Sequence, residues 1–100
     1  MSDPIVIVSA ARTAMGSFQG GFSSLTAANL GAAAIKAAVE RAGLDANLVE
    51  EVLMGCVLQA GQGQAPARQA ALQAGLPLSA CCATIHKVCG SAMKATMLGH

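Results

Sequence analysis

One hundred residues, 54% of them apolar and 11% charged, suffice for a hydrophobic core but not one of generous size. A net charge of +1 creates no field that would draw in nucleic acid or anionic lipid. The only aromatic residues, Phe18 and Phe22, make no platform on which bases could stack.

The four cysteines, Cys56, Cys81, Cys82 and Cys89, are unevenly spaced, and two of them are adjacent. A disulfide-stapled secreted domain would look different, and a reducing cytoplasm is the expected setting. Met1-Ser2-Asp3-Pro4 carries no basic run, and the apolar stretch from Ile5 to Ala11 is too short for a leader peptide. Nor does any uninterrupted apolar stretch approach the length of a membrane span.

Taken in order, Ile5 to Val8 is a β-branched run, as expected of a strand buried on both faces of a parallel sheet. Residues 11–25 read as loop, with Gly16, Gly20, Gly21 and the pair Ser23-Ser24. Arg12 is the one charge near the expected strand end and reads as a structural donor to loop carbonyls. Thr26 caps a predicted helix that runs to about Arg41 and is closed by Gly43. Ala28, Ala32, Ile35, Val39 and Ala42 share one face of it, and Asn29, Lys36 and Glu40 share another, solvated one. Asp45 reads as the cap of a short helical turn, and Glu51 to Leu58 as the next strand. Such a unit implies a parallel α/β sheet.

Gly61-Gln62-Gly63-Gln64-Ala65-Pro66 superficially suggests a dinucleotide loop. Pro66 stands where a third glycine is required, and no acidic residue follows at the needed distance. Pro66 instead suits the first turn of a helix that Gly75 ends, and Gln64 reads as a loop-stabilising amide. A zinc site built from Cys82, His86 and Cys89 lacks the usual ligand spacing.

Cys82 to Val88 has the composition of a strand, and the residues from Ala92 to Leu98 are mostly good helix formers. Between them, Cys89 occupies a tight turn at the start of a helix. Unpaired amides and the positive end of the macrodipole favour negative charge there, so helix starts promote thiolate chemistry. The design follows the mechanical logic of the nucleophile elbow, with sulfur in place of oxygen. Local pattern alone reads Cys89 equally well as a nucleophile and as a small buried hydrophobe.

His86-Lys87-Val88-Cys89-Gly90-Ser91-Ala92-Met93-Lys94-Ala95 resembles the nucleophile segment of the thiolases, Asn-Lys-Val-Cys-Ala/Gly-Ser-Gly-hydrophobic-Lys/Gln-Ala. Val6 to Thr13 is similar to that family's opening strand and Ala-Arg-Thr loop. The segment Gly55 to Gln64 resembles its Gly-x-Val-x-x-Ala-Gly-x-Gly-Gln stretch, and Ala67 to Leu72 the following helix. Four matches in the family's order are far more specific than any one. His86 departs from the usual Asn and Ala92 from the usual Gly. The methyl of Ala92 is a source of crowding if the backbone there approaches a neighbour closely.

The resemblance implies a layered α-β-α-β-α fold, with residues 1–100 forming the N-terminal part of the thiolase N-terminal domain. It also implies an acyl-CoA C-acyltransferase in which Cys89 takes the acetyl group of acetyl-CoA. Claisen condensation to acetoacetyl-CoA, or the reverse thiolysis, then follows. CoA and acetyl-CoA enter as substrates, with no metal or redox cofactor. The family's catalytic histidine and second cysteine lie in segments that residues 1–100 do not contain, so this stretch alone is expected to be inactive. The resemblance further implies a homodimer or homotetramer joined through the strand Cys82 to Val88. Two rival readings are a non-catalytic interaction piece and a condensing enzyme of the ketoacyl-synthase type.

Overall fold

The longest element forms where a capping residue meets an alanine-rich run. In the computed structural model, which describes residues 3–100, helix α1 spans Ala27–Ala42. Thr26 is its N-cap: its hydroxyl accepts from the Asn29 amide at 3.0 Å, and the Asn29 side chain accepts from the Thr26 amide at 2.9 Å. This reciprocal box satisfies two of the donors that a helix start leaves open. At the other end Gly43 turns left-handed, with φ 68°, and its amide returns to the Glu40 carbonyl. Ala28 and Ala32 are buried, while Lys36 and Glu40 face solvent, as the spacing predicts. Asn29 has a second task, donating from Nδ2 to Gln73 Oε1 at 2.9 Å.

A short 3-10 turn, Ala46–Leu48, follows under the Asp45 side chain, which accepts from the Asn47 amide. Strand β1 (Glu51–Gly55) leads through a loop into helix α2 (Pro66–Gln73). Pro66 takes the first helical turn, where its missing N–H costs nothing. Strand β2 (Cys81–Ile85) then lies parallel to β1, in a register that runs from Glu51 opposite Cys81 to Gly55 opposite Ile85. Helix α3 (Ser91–Gly99) closes the order.

Small residues let these layers approach closely. Ala67, Ala70 and Ala71 of α2 are buried, and Val52, Ala71, Leu76 and Ala80 form the core cluster, with Ile35 and Val39 of α1 packed against it. Gly31 of α1 lies so near α2 and β1 that a Cβ there would stand 3.3 Å from Ala70 Cβ and 3.4 Å from Met54 Cε. Two long-range hydrogen bonds lock α2 to β2. The Thr84 hydroxyl accepts from the Ala67 amide at 3.0 Å and so serves the open start of α2, while Arg68 reaches the other end of the strand.

Arg68 donates from Nη1 to Ala80 O at 2.7 Å and from Nη2 to Leu78 O at 3.0 Å. These charge-assisted bonds bind the segment that feeds β2. Arg68→Ala in the full-length protein should lower stability by about 2 kcal/mol, read from the midpoint of urea unfolding. Unchanged stability would show that water satisfies those carbonyls equally well.

Three expectations need correction. Ile5 to Val8 is not a strand: Ile7 is 87% exposed, and Ile7 and Val8 lie beside Ala38, Val39 and Ala42 of α1. Strand propensity is realised only when a neighbouring backbone completes the ladder, and no strand among the described residues pairs with this run. The strand expected over Glu51 to Leu58 ends at Gly55. Its ladder continues one step, with the Cys56 amide donating to Ile85 O at 2.9 Å. Beyond it the amides of Gln59 and Gln62 draw the Cys56 and Leu58 carbonyls into the loop. The strand expected over Cys82 to Val88 spans Cys81–Ile85, because its partner β1 ends at Gly55, opposite Ile85.

Candidate active site

Cys89 stands on the turn between β2 and α3 and is exposed. The helix starts later than the sequence suggests. Its first residue is Ser91 and its N-cap is Gly90, so Cys89 immediately precedes the cap. Val88 carries the reversal, with φ 45°, a conformation that costs a β-branched residue about 1–3 kcal/mol unless its surroundings hold it.

A dense set of short hydrogen bonds supports that conformation. The Gly90 amide donates to Lys87 O at 2.9 Å, the Ser91 amide to Val88 O at 3.2 Å, and the Lys94 amide to Gly90 O at 2.9 Å. Ser91 is 2% exposed, and its hydroxyl donates to Val88 O at 2.6 Å while accepting from the Lys87 amide at 2.8 Å. Gly90 itself has no side chain with which to cap α3, so Ser91 secures the turn from inside the helix.

Gly55 holds the same turn from the sheet side. A Cβ on Gly55 would meet Ala92 N at 2.5 Å, Ser91 C at 2.6 Å and Ala92 Cα at 2.8 Å. The start of α3 therefore rests directly on the last residue of β1, with no room for a side chain between them. At Ala92 the close approach to Gly55 occurs through the backbone, and the residue is exposed.

The remaining candidate residues are dispersed. His86 and Lys87 are exposed, and Arg12 is an exposed side chain donating to Thr13 O at 3.3 Å. Gln64 contributes its backbone carbonyl, which accepts from Gln69 Nε2 at 2.7 Å; the amide side chains that order this loop belong to Gln59, Gln62 and Gln69. The expectation that Gln64 stabilises the loop through its side chain is corrected accordingly. Cys82 is half-buried, with Sγ 3.9 Å from Arg68 Nη1, and Cys56 is half-buried in the loop after β1. Among the described residues no group of three or more Cys, His, Asp or Glu is placed to hold a metal ion. Nor is any helix among them long and apolar enough to cross a membrane. Sequence reasoning misses the supporting roles of Gly55 and Ser91: each lies in a family motif that gives no reason for it, and Gly55 otherwise reads as strand interior.

The α/β layers place a free, exposed thiol on the turn between β2 and α3, next to a left-handed Val88. The family description "Thiolase, N-terminal domain" matches residues 5–100, and the chain belongs to the thiolase family. It is 66% identical over 94 residues to the mitochondrial acetyl-CoA acetyltransferase B of Xenopus laevis, covering 94% of this chain and 22% of that protein. To the acetyl-CoA acetyltransferase of Rhizobium meliloti (strain 1021) it is 57% identical over 100 residues, which is 99% of this chain and 25% of the relative. A thiolase from Ascaris suum, solved in complex with coenzyme A, superposes with a TM-score of 0.91 at 44% identity, over 93% of this chain and 24% of that one. The chain thus spans about a quarter of the length of these relatives. Their names lend no support to the ketoacyl-synthase reading.

Proposed function

We propose that the protein is an acetyl-CoA C-acetyltransferase in which Cys89 accepts the acyl group. The observation that carries this reading is the exposed Cys89 on a braced turn ahead of α3, within a chain that matches the thiolase N-terminal domain over residues 5–100. The Cys89 thiolate attacks the thioester carbonyl of acetyl-CoA, and the bond to the CoA sulfur breaks. CoA leaves as a thiolate and takes up a proton. Exchange of one thioester for another is nearly balanced in energy, so the acetyl group keeps its reactivity for the second step. A base then removes the α-proton of a second acetyl-CoA; the family resemblance assigns that role to a cysteine in a later segment. The carbanion attacks the acetyl-enzyme carbonyl, releasing Cys89 and acetoacetyl-CoA. Thiolysis is the same path reversed.

In this reading the Cys89 amide donates to the oxyanion that forms during acylation. Each step is a proton transfer or an acyl transfer, to sulfur in the first half and to carbon in the second, so the chemistry asks for no metal or redox cofactor. Four free thiols suit a reducing compartment, and the cytoplasm is the proposed location.

The other three thiols supply internal references for a test, since all four are free. In the full-length protein, limiting iodoacetamide should modify Cys89 ahead of Cys81, Cys82 and Cys56, and acetyl-CoA should protect it. Equal modification of Cys81 and Cys89, or no protection by acetyl-CoA, contradicts the assignment.

Assembly through β2 belongs to the same proposal. β2 pairs with β1 on one side, and no strand among the described residues pairs with its other edge. An open edge is a template for another chain, and a two-fold contact would set the strand against its own copy in a homodimer or homotetramer. Ile85→Glu should then dissociate the full-length oligomer or prevent folding, as judged by sedimentation. A stable Ile85→Glu oligomer would place the interface elsewhere.

A further inference from the structure

Of the groups around Cys89, the one whose purpose the acyl-transfer reading leaves unexplained is the buried hydroxyl of Ser91. It is 2% exposed and makes two hydrogen bonds, one with the Lys87 amide and one with the Val88 carbonyl. The Lys87 amide donates to it at 2.8 Å, and it donates to Val88 O at 2.6 Å. The Ser91 amide adds a second, longer bond to the same carbonyl, at 3.2 Å.

The consequence follows from peptide geometry. Val88 O and the Cys89 N–H belong to one planar trans unit, in which carbonyl and amide point in opposite directions. Drawing Val88 O inward, onto Ser91, turns the Cys89 N–H away from the α3 start. Val88 is itself left-handed at this turn, with φ 45°. A valine does not hold that conformation by preference, and the bonds at the Lys87 amide and the Val88 carbonyl help to hold it. We infer that Ser91 is a positioning residue whose hydroxyl, bonded to Val88 O and the Lys87 amide, aims the Cys89 N–H at the acyl oxyanion. The inference rests on the reading of Cys89 as the acyl-accepting thiol. It concerns the orientation of the amide and not the reactivity of the sulfur.

Two reactions of the same thiol separate these roles. Acetylation by acetyl-CoA passes through an oxyanion that needs the amide. Alkylation by iodoacetamide is a direct displacement, in which the S–C bond forms as iodide leaves, and no oxyanion develops. In the full-length enzyme, Ser91→Ala should slow acetylation of Cys89 about tenfold to a hundredfold, the range expected for a misaligned donor. Alkylation of Cys89 should change by less than about threefold, because direct displacement makes no use of the donor. The steady-state loss should fall on kcat, with KM for acetyl-CoA little altered. Ser91→Thr, which keeps the hydroxyl, should restore the acetylation rate. If Ser91→Ala exposes the half-buried Cys56 and Cys82 to rapid alkylation, the fold is disturbed, and Ser91→Thr decides by its ratio of acetylation to alkylation. A ratio like that of the unmodified enzyme supports the inference, and a ratio lowered tenfold overturns it. Acetylation and alkylation slowed equally in a folded Ser91→Ala protein, or neither slowed, also overturns it. Mapping the acetyl group by peptide mass spectrometry keeps the two ideas apart. Acetyl on another residue sinks the Cys89 reading, whereas acetyl on Cys89 at an undiminished rate sinks only the role of Ser91.

Discussion

Cys89→Ser in the full-length protein is expected to abolish acetyl-enzyme formation and to lower thiolysis by a factor on the order of 10³ or more. The hydroxyl at this position is an alcohol, far less ionised near neutral pH than a thiol, and the volume change is small. With so small a change in volume, thermal stability should stay within about 0.5 kcal/mol. The decisive measurement is single-turnover acetylation, followed by mass. Retained acetylation at another residue would remove Cys89 from the mechanism.

Gly55→Ala is expected to have the second largest effect, although Gly55 bears no functional group. Its new Cβ would fall 2.5 Å from Ala92 N and 2.6 Å from Ser91 C. Both obstacles are backbone, so relief requires the start of α3 to move off β1 rather than a side chain to rotate. Overpacking of this kind costs about 1–3 kcal/mol. The same displacement carries Cys89 with it, and a shift on the order of 1 Å at a reacting group can cost about a hundredfold in rate. The full-length Gly55→Ala protein should therefore lose stability and activity together. Wild-type turnover with an unmoved α3 in the variant structure would show that the contact relaxes at little cost.

The two substitutions reach one turn from opposite directions, and they differ in how well the sequence announces them. Cys89 is announced twice, by a strand-like run passing into helix formers and by the ten-residue match to the thiolase nucleophile segment. Gly55 is announced only as the first glycine of the Gly55 to Gln64 match, which says nothing of its contact with α3. It sits inside an apolar run that reads as continuous strand to Leu58, and its role depends on Ser91 and Ala92, far along the chain. Thr84 and Arg68 are similar cases. A threonine in a strand and an arginine in a helix are ordinary residues until folding brings Thr84 to the Ala67 amide and Arg68 to the Ala80 carbonyl.

Sequence by itself determined the elements whose causes are local. Thr26 and Gly43 delimit α1, Asp45 caps its short turn, and Pro66 and Gly75 bracket α2, because caps and breakers act within a few residues of themselves. The motif order around Cys89 was legible for the same reason. Only the tertiary structure decided where β1 and β2 end, that Ile5 to Val8 lies outside the sheet, and that Val88 rather than Cys89 bears the reversal. A strand exists only where a second backbone completes its ladder. A left-handed valine persists only where Ser91 and the end of β1 hold it, and both conditions are set by partners that the local sequence does not name.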